Sequence, residues 1–168
     1  MPAYLLKAPS GVPGDITRVD ETNVEPAVLV AVSTVYAQSF GIPLKYTTGG
    51  VQQFNGGAED GSEFAGVLVR ETPSISGSVT SGFTDNIPNP DQIQGMAVRG
   101  YVSVKCWRGT PARGGVVYIQ IITSGGVPVG GFCASDDGGN AVALTSAQAS
   151  WASDGVDTDL NAELRIAR

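Results

Sequence analysis

Hydrophobic and polar residues alternate most regularly in two parts of the chain, YVSVKCW at residues 101–107 and NAELRIA at residues 161–167. A period of two is that of a β-strand, whose side chains point to opposite faces in turn. Both segments are therefore predicted to be strands that bury one face. The side chains predicted to face the core are Val102, Val104, Cys106, Ala162, Leu164 and Ile166.

Other apolar segments are bounded by turn-forming residues. They predict strands over residues 27–36, 116–123, 127–134 and 141–145. The segment 116–123 is apolar on both faces, so it is predicted to be a central strand covered on both sides. The Pro- and Gly-rich residues 108–115 predict a hairpin that joins the strand at 101–107 to this one.

Composition points to the same fold class. The chain has 20 valines against 8 leucines, and 23 glycines and 10 prolines are spread over its 168 residues. An excess of β-branched residues favours strands over helices, and turn residues at this density separate short strands. The prediction is an all-β, antiparallel sandwich or partly open barrel, jelly-roll-like, in a single domain of residues 1–168. An N-terminal strand and Pro/Gly-rich arm occupy residues 1–26, and a polar loop without periodicity occupies residues 71–95.

Charge and hydropathy make several partners unexpected. A formal charge of −6 would repel a phosphate backbone, so nucleic acid is not an expected partner. The longest apolar run is AVLVAV at residues 27–32, which is far shorter than a bilayer-spanning helix, so no membrane partner is expected. The N-terminus lacks a secretory signal pattern, which predicts synthesis in a cytoplasm, where Cys106 and Cys133 would remain thiols packed as small hydrophobic side chains.

The residues expected of an enzyme or a metal site are largely missing. The chain has no histidine, which removes the usual general base near neutral pH and the Ser-His and Cys-His nucleophile pairs. DTDLNAE at residues 157–163 resembles the start of a calcium loop, but Ala162 stands where that loop needs glycine and Arg168 where it needs a bidentate acid. We expect no catalytic residues, no metal and no cofactor.

Four residues of the central region are candidates for protein contacts. Alternation places Tyr101 and Trp107 on the face opposite the valines, where such rings often anchor interfaces. Trp107 alternatively packs in a second small core beneath the long loop. Arg108 and Arg113 flank the predicted hairpin turn, and a basic tip on an acidic protein is suited to contact an acidic protein surface.

Several segments together resemble the structural cement, or decoration, proteins of tailed bacteriophages. In chain order they are KAPSGVPGDITR at residues 7–18, FAGVLVRE at 64–71, RGYVSVKCWRGTPARGGVVYIQI at 99–121, DDGGNAVAL at 136–144 and AELRI at 162–166. The resemblance implies a non-catalytic β-rich protein, made in the cytoplasm of the infected bacterium, that binds the outer surface of the capsid in the virion. It further implies the major capsid protein as partner, reinforcement of the shell against DNA pressure, and a homo-dimer or homo-trimer at a symmetry axis.

The N-terminal segment is a candidate arm. Pro9 and Pro13 fix the backbone and remove two hydrogen-bond donors, so the segment is predicted to stay out of a sheet interior and to lie on a partner's surface. The apolar residues around the two prolines are Tyr4, Leu5, Leu6 and Ile16. An equally weighted alternative is a kinked connection between the first two strands of one sandwich.

A carbohydrate-binding β-sandwich is the alternative function. It would use an exposed aromatic platform that includes Tyr101 or Trp107. Aromatic residues make up only 7% of the chain, and the predicted strands place no further aromatic residue on the face of these two.

Overall fold

A computed structural model describes residues 11–30, 39–70, 88 and 92–167 of the chain. The strands of this part are β1 (Asn23–Val28), β2 (Pro43–Thr47), β3 (Gly50–Gln53), β4 (Phe64–Leu68), β5 (Ile93–Arg108), β6 (Tyr118–Gln120), β7 (Phe132–Cys133), β8 (Ala141–Ala143), β9 (Ala149–Trp151) and β10 (Asn161–Ile166). Two short 3₁₀ helices, Val19–Glu21 and Gly61–Glu63, precede β1 and β4. The predicted all-β fold class is confirmed.

The strands form one mixed sheet, which in the described part of the chain is not closed into a barrel. The order along the sheet is β3-β2-β4-β5-β7-β6-β8, while β1 and β10 also pair with β5, and β9 pairs with β10. All of these strand pairs are antiparallel except β5 with β7, which is parallel. The sheet is therefore not the purely antiparallel one that the sequence predicted.

The long strand β5 organises the fold. Ala97 in its first half pairs with Val24 of β1 and with Val67 of β4, so these two strands flank it on opposite edges. Its second half pairs with β10, from Gly100 to Lys105. A 16-residue strand thus holds together elements from both ends of the chain.

Two hydrophobic clusters lie on either side of β4, whose five residues are all buried. Phe64 and Val67 belong to the larger cluster, while Ala65 and Leu68 belong to the smaller one. The inward faces predicted for 101–107 and 161–167 are confirmed, because the six predicted core residues are between 0% and 2% exposed. The larger cluster also holds Trp151, which the sequence analysis did not single out.

The predicted hairpin over residues 108–115 is wrong. The strand that follows it, β6, pairs with β7 and β8 and not with β5. Two backbone hydrogen bonds join the loop to β9 instead, from Gly114 N–H to Trp151 O (2.7 Å) and from Trp151 N–H to Gly115 O (3.3 Å). The strand predicted at 116–123 shrinks to the three residues of β6. Its central position is confirmed, since it has a strand on each side. Val116 and Ile122 are 50% and 49% exposed, so the predicted coverage of both faces is wrong.

The first described residues belong to the sheet region. Gly14 N–H donates to Ser103 O (2.8 Å), Ser103 N–H donates to Asp15 O (2.8 Å), and Gly14 O accepts from Arg70 N–H (2.9 Å). The prediction that the proline-rich segment stays out of the sheet is therefore wrong for residues 14–17, because their N–H groups follow the prolines and are free to pair. β1 also starts at Asn23, inside the predicted arm.

Other predicted boundaries differ as well. The strand predicted at 27–36 starts earlier, as β1, and residues 31–38 lie outside the described residues. The predicted strand at 127–134 shrinks to the two residues of β7. Residues 93–95 of the predicted polar loop form the start of β5, and most of the rest of that loop lies outside the described part.

Candidate functional site

Tyr101, on the outward face of β5, is half-buried against Arg18. The guanidinium carbon of Arg18 lies 3.9 Å from the ring centroid, within cation–π distance. The same guanidinium donates from Nε and Nη2 to the two carboxylate oxygens of Glu163, at 3.2 and 3.0 Å. Thr17 Oγ1 donates to this carboxylate at 2.6 Å, so the cluster fastens the N-terminal segment to β10.

Glu163 is ionised in this cluster. Burial alone would raise its pKa, but hydrogen bonds from Arg18 and Thr17 favour the charged form and hold the pKa below its usual value. A bidentate arginine–carboxylate pair also fixes the orientation of both groups. The cluster is therefore a rigid feature of the surface around Tyr101.

A depression of about 220 Å³ adjoins this cluster. Arg18, Arg113 and Arg165 line it. Arg165 of β10 lies directly opposite Tyr101 in the β5–β10 register. The residues around the depression are Arg18, Tyr101, Arg113, Gly114, Ser150, Trp151, Ala152 and Arg165. None of these lining residues is a carboxylate, although Arg18 is paired with Glu163 and Arg113 lies 3.9 Å from Asp154 just outside the lining.

Trp107 lies at the other end of the outward face of β5 and is 38% exposed. The ammonium of Lys105 is 4.0 Å from the centroid of the indole. The indole lines a groove of about 570 Å³ together with uncharged residues, among them Ile42, Pro128 and Val129. Among the described residues Trp107 belongs to neither hydrophobic cluster, and most of the long loop beneath which it was predicted to pack lies outside the described part of the chain, so a place in a second core stays a prediction.

Tyr101 and Trp107 do not share an open platform. Trp107 is six positions along the strand from Tyr101, about 20 Å at the usual rise per residue. Ser103, between them on the same face, is fully buried beneath the segment that begins at Gly11. The geometry therefore does not support the aromatic platform that a carbohydrate-binding module would use.

Arg108 is engaged inside the fold. Its Nη1 lies 2.6 Å from Asp137 Oδ1, and its Nη2 donates to Ser124 O at 2.9 Å. Arg113 is exposed and lies 3.9 Å from Asp154. The predicted basic tip is thus divided, with Arg108 in a structural ion pair and Arg113 at the arginine-lined depression.

The candidate residues of the N-terminal segment are only partly described. Pro13 is half-buried, and Ile16 packs against the larger cluster and pairs with Val102. The other four candidates, Tyr4, Leu5, Leu6 and Pro9, lie outside the described residues.

An exposed apolar strip along β1 was missed in the sequence analysis. Val28 of β1 lies directly opposite Ile93 of β5, and these residues are 38% and 67% exposed. Val24, on the same face of β1 as Val28, is 37% exposed. The alternate positions of Val24, Pro26 and Val28 carry a period of two that could have revealed this strand.

The described residues offer little for other functional classes. No group of three or more His, Cys, Asp or Glu side chains in this part of the chain could hold a metal ion. A helix of the length and apolarity needed to cross a membrane is not found in this part either.

Comparison with known proteins places this arrangement in a family. The family model described as XM1 gp53 minor capsid protein matches residues 1–165. A chain in the solved structure described as the capsid of Myoviridae phage XM1 is 18% identical to this one, with a TM-score of 0.64 over 97% of this chain and 94% of that chain. No curated protein matches. The resemblance to capsid-associated phage proteins is confirmed, and this chain belongs to the XM1 gp53 minor capsid protein family.

Proposed function

We propose that this chain is a non-catalytic structural protein that binds the outer surface of a phage capsid and stabilises contacts between major capsid protein subunits. The observation that carries the proposal is the family match over residues 1–165, which includes every described strand except the last residue of β10. Such a protein is made in the cytoplasm of the host bacterium and ends up in the virion.

Two apolar surfaces support contact with protein partners. The Trp107 groove combines a partly exposed indole with an uncharged lining, the kind of surface that becomes the buried centre of an interface. The strip of Val24, Val28 and Ile93 lies on the β1–β5 ribbon. Several moderate contacts made at once by a rigid protein on a rigid shell produce durable attachment.

We propose that the N-terminal arm that contacts the shell consists of the residues before Gly11. Residues 14–17 are hydrogen-bonded to β5 and so serve the fold, whereas Tyr4, Leu5, Leu6 and Pro9 precede this anchored segment. Deletion of residues 1–10 is therefore expected to weaken binding to the shell and to leave the urea unfolding midpoint unchanged. A large loss of stability in the deletion variant would instead assign the segment to the fold.

Self-association as a dimer or trimer belongs to the same proposal. A capsid offers its binding sites around symmetry axes, and a matching oligomer engages several of them together. Light scattering of the purified protein at several concentrations measures this directly, and a monomer at all of them would reject the oligomer.

The central test uses expanded capsid shells that lack this protein. Saturable co-sedimentation at low and high salt, together with a higher rupture temperature of the shells, is the expected result. Failure to sediment with the shells would overturn the proposal. Binding that leaves the rupture temperature unchanged would reject the stabilising role.

The groove is tested by Trp107→Ala in the same assay. Val116→Ala is the matched control, because Val116 is 50% exposed and does not line the groove. Truncation of an interface tryptophan weakens binding by about 2 kcal/mol or more, whereas the control should bind like the unmodified protein. Equal binding by both variants would remove the groove from the interface.

A further inference from the structure

The depression beside Tyr101 is bounded by three of the ten cationic residues of the chain. We propose that it is a docking site for an acidic side chain, Asp or Glu, carried by a protein partner in the capsid. This inference rests on the proposed function for the identity of the partner. The site itself follows from the arrangement of Arg18, Arg113 and Arg165.

The three arginines are held by different elements of the sheet. Arg165 lies on β10 between Tyr101 of β5 and Ser150 of β9, opposite each of them in register. Arg113 sits in the loop that pairs with β9, and its own N–H donates to Asp154 Oδ1 at 2.8 Å. The backbone positions around the depression are therefore set by strand pairing, which reduces the entropy lost when a partner binds.

The arginines differ in how far their charge is already neutralised. Arg18 makes a bidentate pair with Glu163. Arg113 is only 3.9 Å from Asp154, with both side chains more than 70% exposed, so this pair is weak. Arg165 is exposed and has no carboxylate within 4 Å in the described part of the chain. Arg165 and Arg113 are thus the groups available to a partner's carboxylate.

The size of the depression and the charges around it favour a single acidic side chain over a nucleic acid as the bound group. A volume of about 220 Å³ suits one side chain and is far smaller than a backbone-binding channel. Asp20 and Glu21 line an adjoining groove that shares Tyr101 and Arg165 with the depression, and they would repel an extended polyanion. The formal charge of −6 acts in the same direction at longer range.

The first test is a titration of the full-length protein with hexaglutamate, followed by the NMR signals of the arginine side-chain Nε–H groups. The expected result is a saturable shift of the Arg113 and Arg165 signals. Arg165→Gln should weaken this binding about fivefold, the upper end for an exposed ion pair. Arg99→Gln is the matched control, since Arg99 is also exposed but lines only neighbouring grooves and not the depression, and it should leave the affinity within about twofold.

Three results would overturn the inference. The first is a non-saturable response to hexaglutamate, and the second is an equal loss of affinity in Arg165→Gln and Arg99→Gln. The third is tighter binding of a short DNA duplex than of hexaglutamate, which would identify the depression as a phosphate site. Dispersed amide spectra of both variants establish that they are folded.

Co-sedimentation with capsid shells separates this inference from the proposed function. If the unmodified protein sediments and Arg165→Gln sediments about fivefold more weakly and with less dependence on salt, both are supported. If Arg165→Gln and Arg99→Gln sediment like the unmodified protein, the docking site is rejected while shell binding stands. If the unmodified protein binds hexaglutamate but not shells, the proposed function fails and the acid-binding depression stands.

Discussion

Arg108 and Asp137 join the end of β5 to the turn before β8, with 2.6 Å between Arg108 Nη1 and Asp137 Oδ1. Gln120 of β6 adds a hydrogen bond from Nε2 to Asp137 Oδ2 at 2.8 Å. One carboxylate therefore links three neighbouring parts of the sheet. Hydrogen bonds from Arg108, and then from Gln120, lower the pKa of Asp137 from 3.8 to about 2.

This pKa predicts a specific loss of stability in acid. A carboxylate whose pKa is lower in the folded state stabilises the fold above its unfolded pKa, and this contribution disappears as the pH falls through the folded value. The contribution of Asp137 should thus be complete above pH 3.8 and vanish toward pH 2. Urea unfolding midpoints measured between pH 5 and pH 2 test this expectation.

Asp137→Asn tests whether this carboxylate causes the loss of stability in acid. The variant should be less stable at pH 5 and should lose less stability on acidification than the unmodified protein, because it lacks the titrating group. Asp159→Asn is the control, since Asp159 is exposed and its backbone N–H, not its side chain, donates to Asp157 Oδ1 at 2.9 Å. Parallel acid profiles for Asp137→Asn and the unmodified protein would contradict the assignment.

A steric prediction concerns Gly100, which has a φ of +115° where β5 passes Thr22. A Cβ added there would lie 2.4 Å from both Cα and Oγ1 of Thr22. Thr22 cannot easily move, because its Oγ1 accepts from Tyr101 N–H at 3.0 Å and donates to Arg18 O at 2.7 Å. Gly100→Ala should therefore lower the free energy of unfolding by about 3 kcal/mol, with strain and overpacking combined.

The control for this variant is Gly139→Ala. Gly139 also has a positive φ, +97°, but a Cβ there would meet nothing within 4 Å. Its substitution should cost only the strain of the backbone, about 1 kcal/mol. Urea unfolding of both variants gives the difference, and equal losses would mean that the contact with Thr22 is not tight.

The parts of the fold that could be predicted from sequence are the strands with one apolar face and one polar or aromatic face. Alternation at 101–107 and 161–167 gave the correct inward residues because each of these strands carries polar or aromatic groups opposite its core face, whether or not a neighbouring segment covers them. The hairpin at 108–115 was predicted from local turn residues alone, and it failed because β7, well downstream in sequence, takes the place beside β5. Parallel pairing of this kind leaves no local turn signal.

The two tryptophans should differ sharply in their contribution to stability. Trp151 is 1% exposed in the larger cluster, and its Nε1–H donates to Val116 O at 3.0 Å. Trp151→Ala should cost about 3–5 kcal/mol, and Trp151→Phe, which keeps most of the packing but leaves the Val116 carbonyl unpaired, about 1–2 kcal/mol. Trp107→Ala should cost about 1 kcal/mol or less, as expected of a partly exposed residue.

Fluorescence provides a second measurement for the same pair. In Trp107→Phe only Trp151 remains, and its emission should be blue-shifted and resistant to acrylamide. In Trp151→Phe only Trp107 remains, and it should be readily quenched. Similar quenching of the two variants would contradict the difference in burial.

The candidate surfaces were harder to predict than the strands. Alternation placed Tyr101 and Trp107 on the outward face correctly, because their orientation depends only on local geometry. The stacking of Arg18 on Tyr101 joins residues 83 positions apart, and the position of Arg165 beside Tyr101 depends on the register of β10. Long-range register of this kind is set by the packing of the whole sheet, and a single sequence does not reveal it.

The two cysteines should be unreactive while the protein is folded. Cys106 and Cys133 are 2% and 0% exposed, and burial raises the pKa of both thiols, that of Cys133 to about 11. The thiolate is the reactive form, so a raised pKa keeps Cys133 in its unreactive thiol form at pH 8 in the folded state. Reaction with Ellman's reagent at pH 8 should be slow in buffer and rapid for both thiols in guanidinium chloride. Each of the variants Cys106→Ala and Cys133→Ala retains one thiol, so its reaction rate belongs to that thiol alone. Fast reaction of a thiol in the folded protein would contradict its burial.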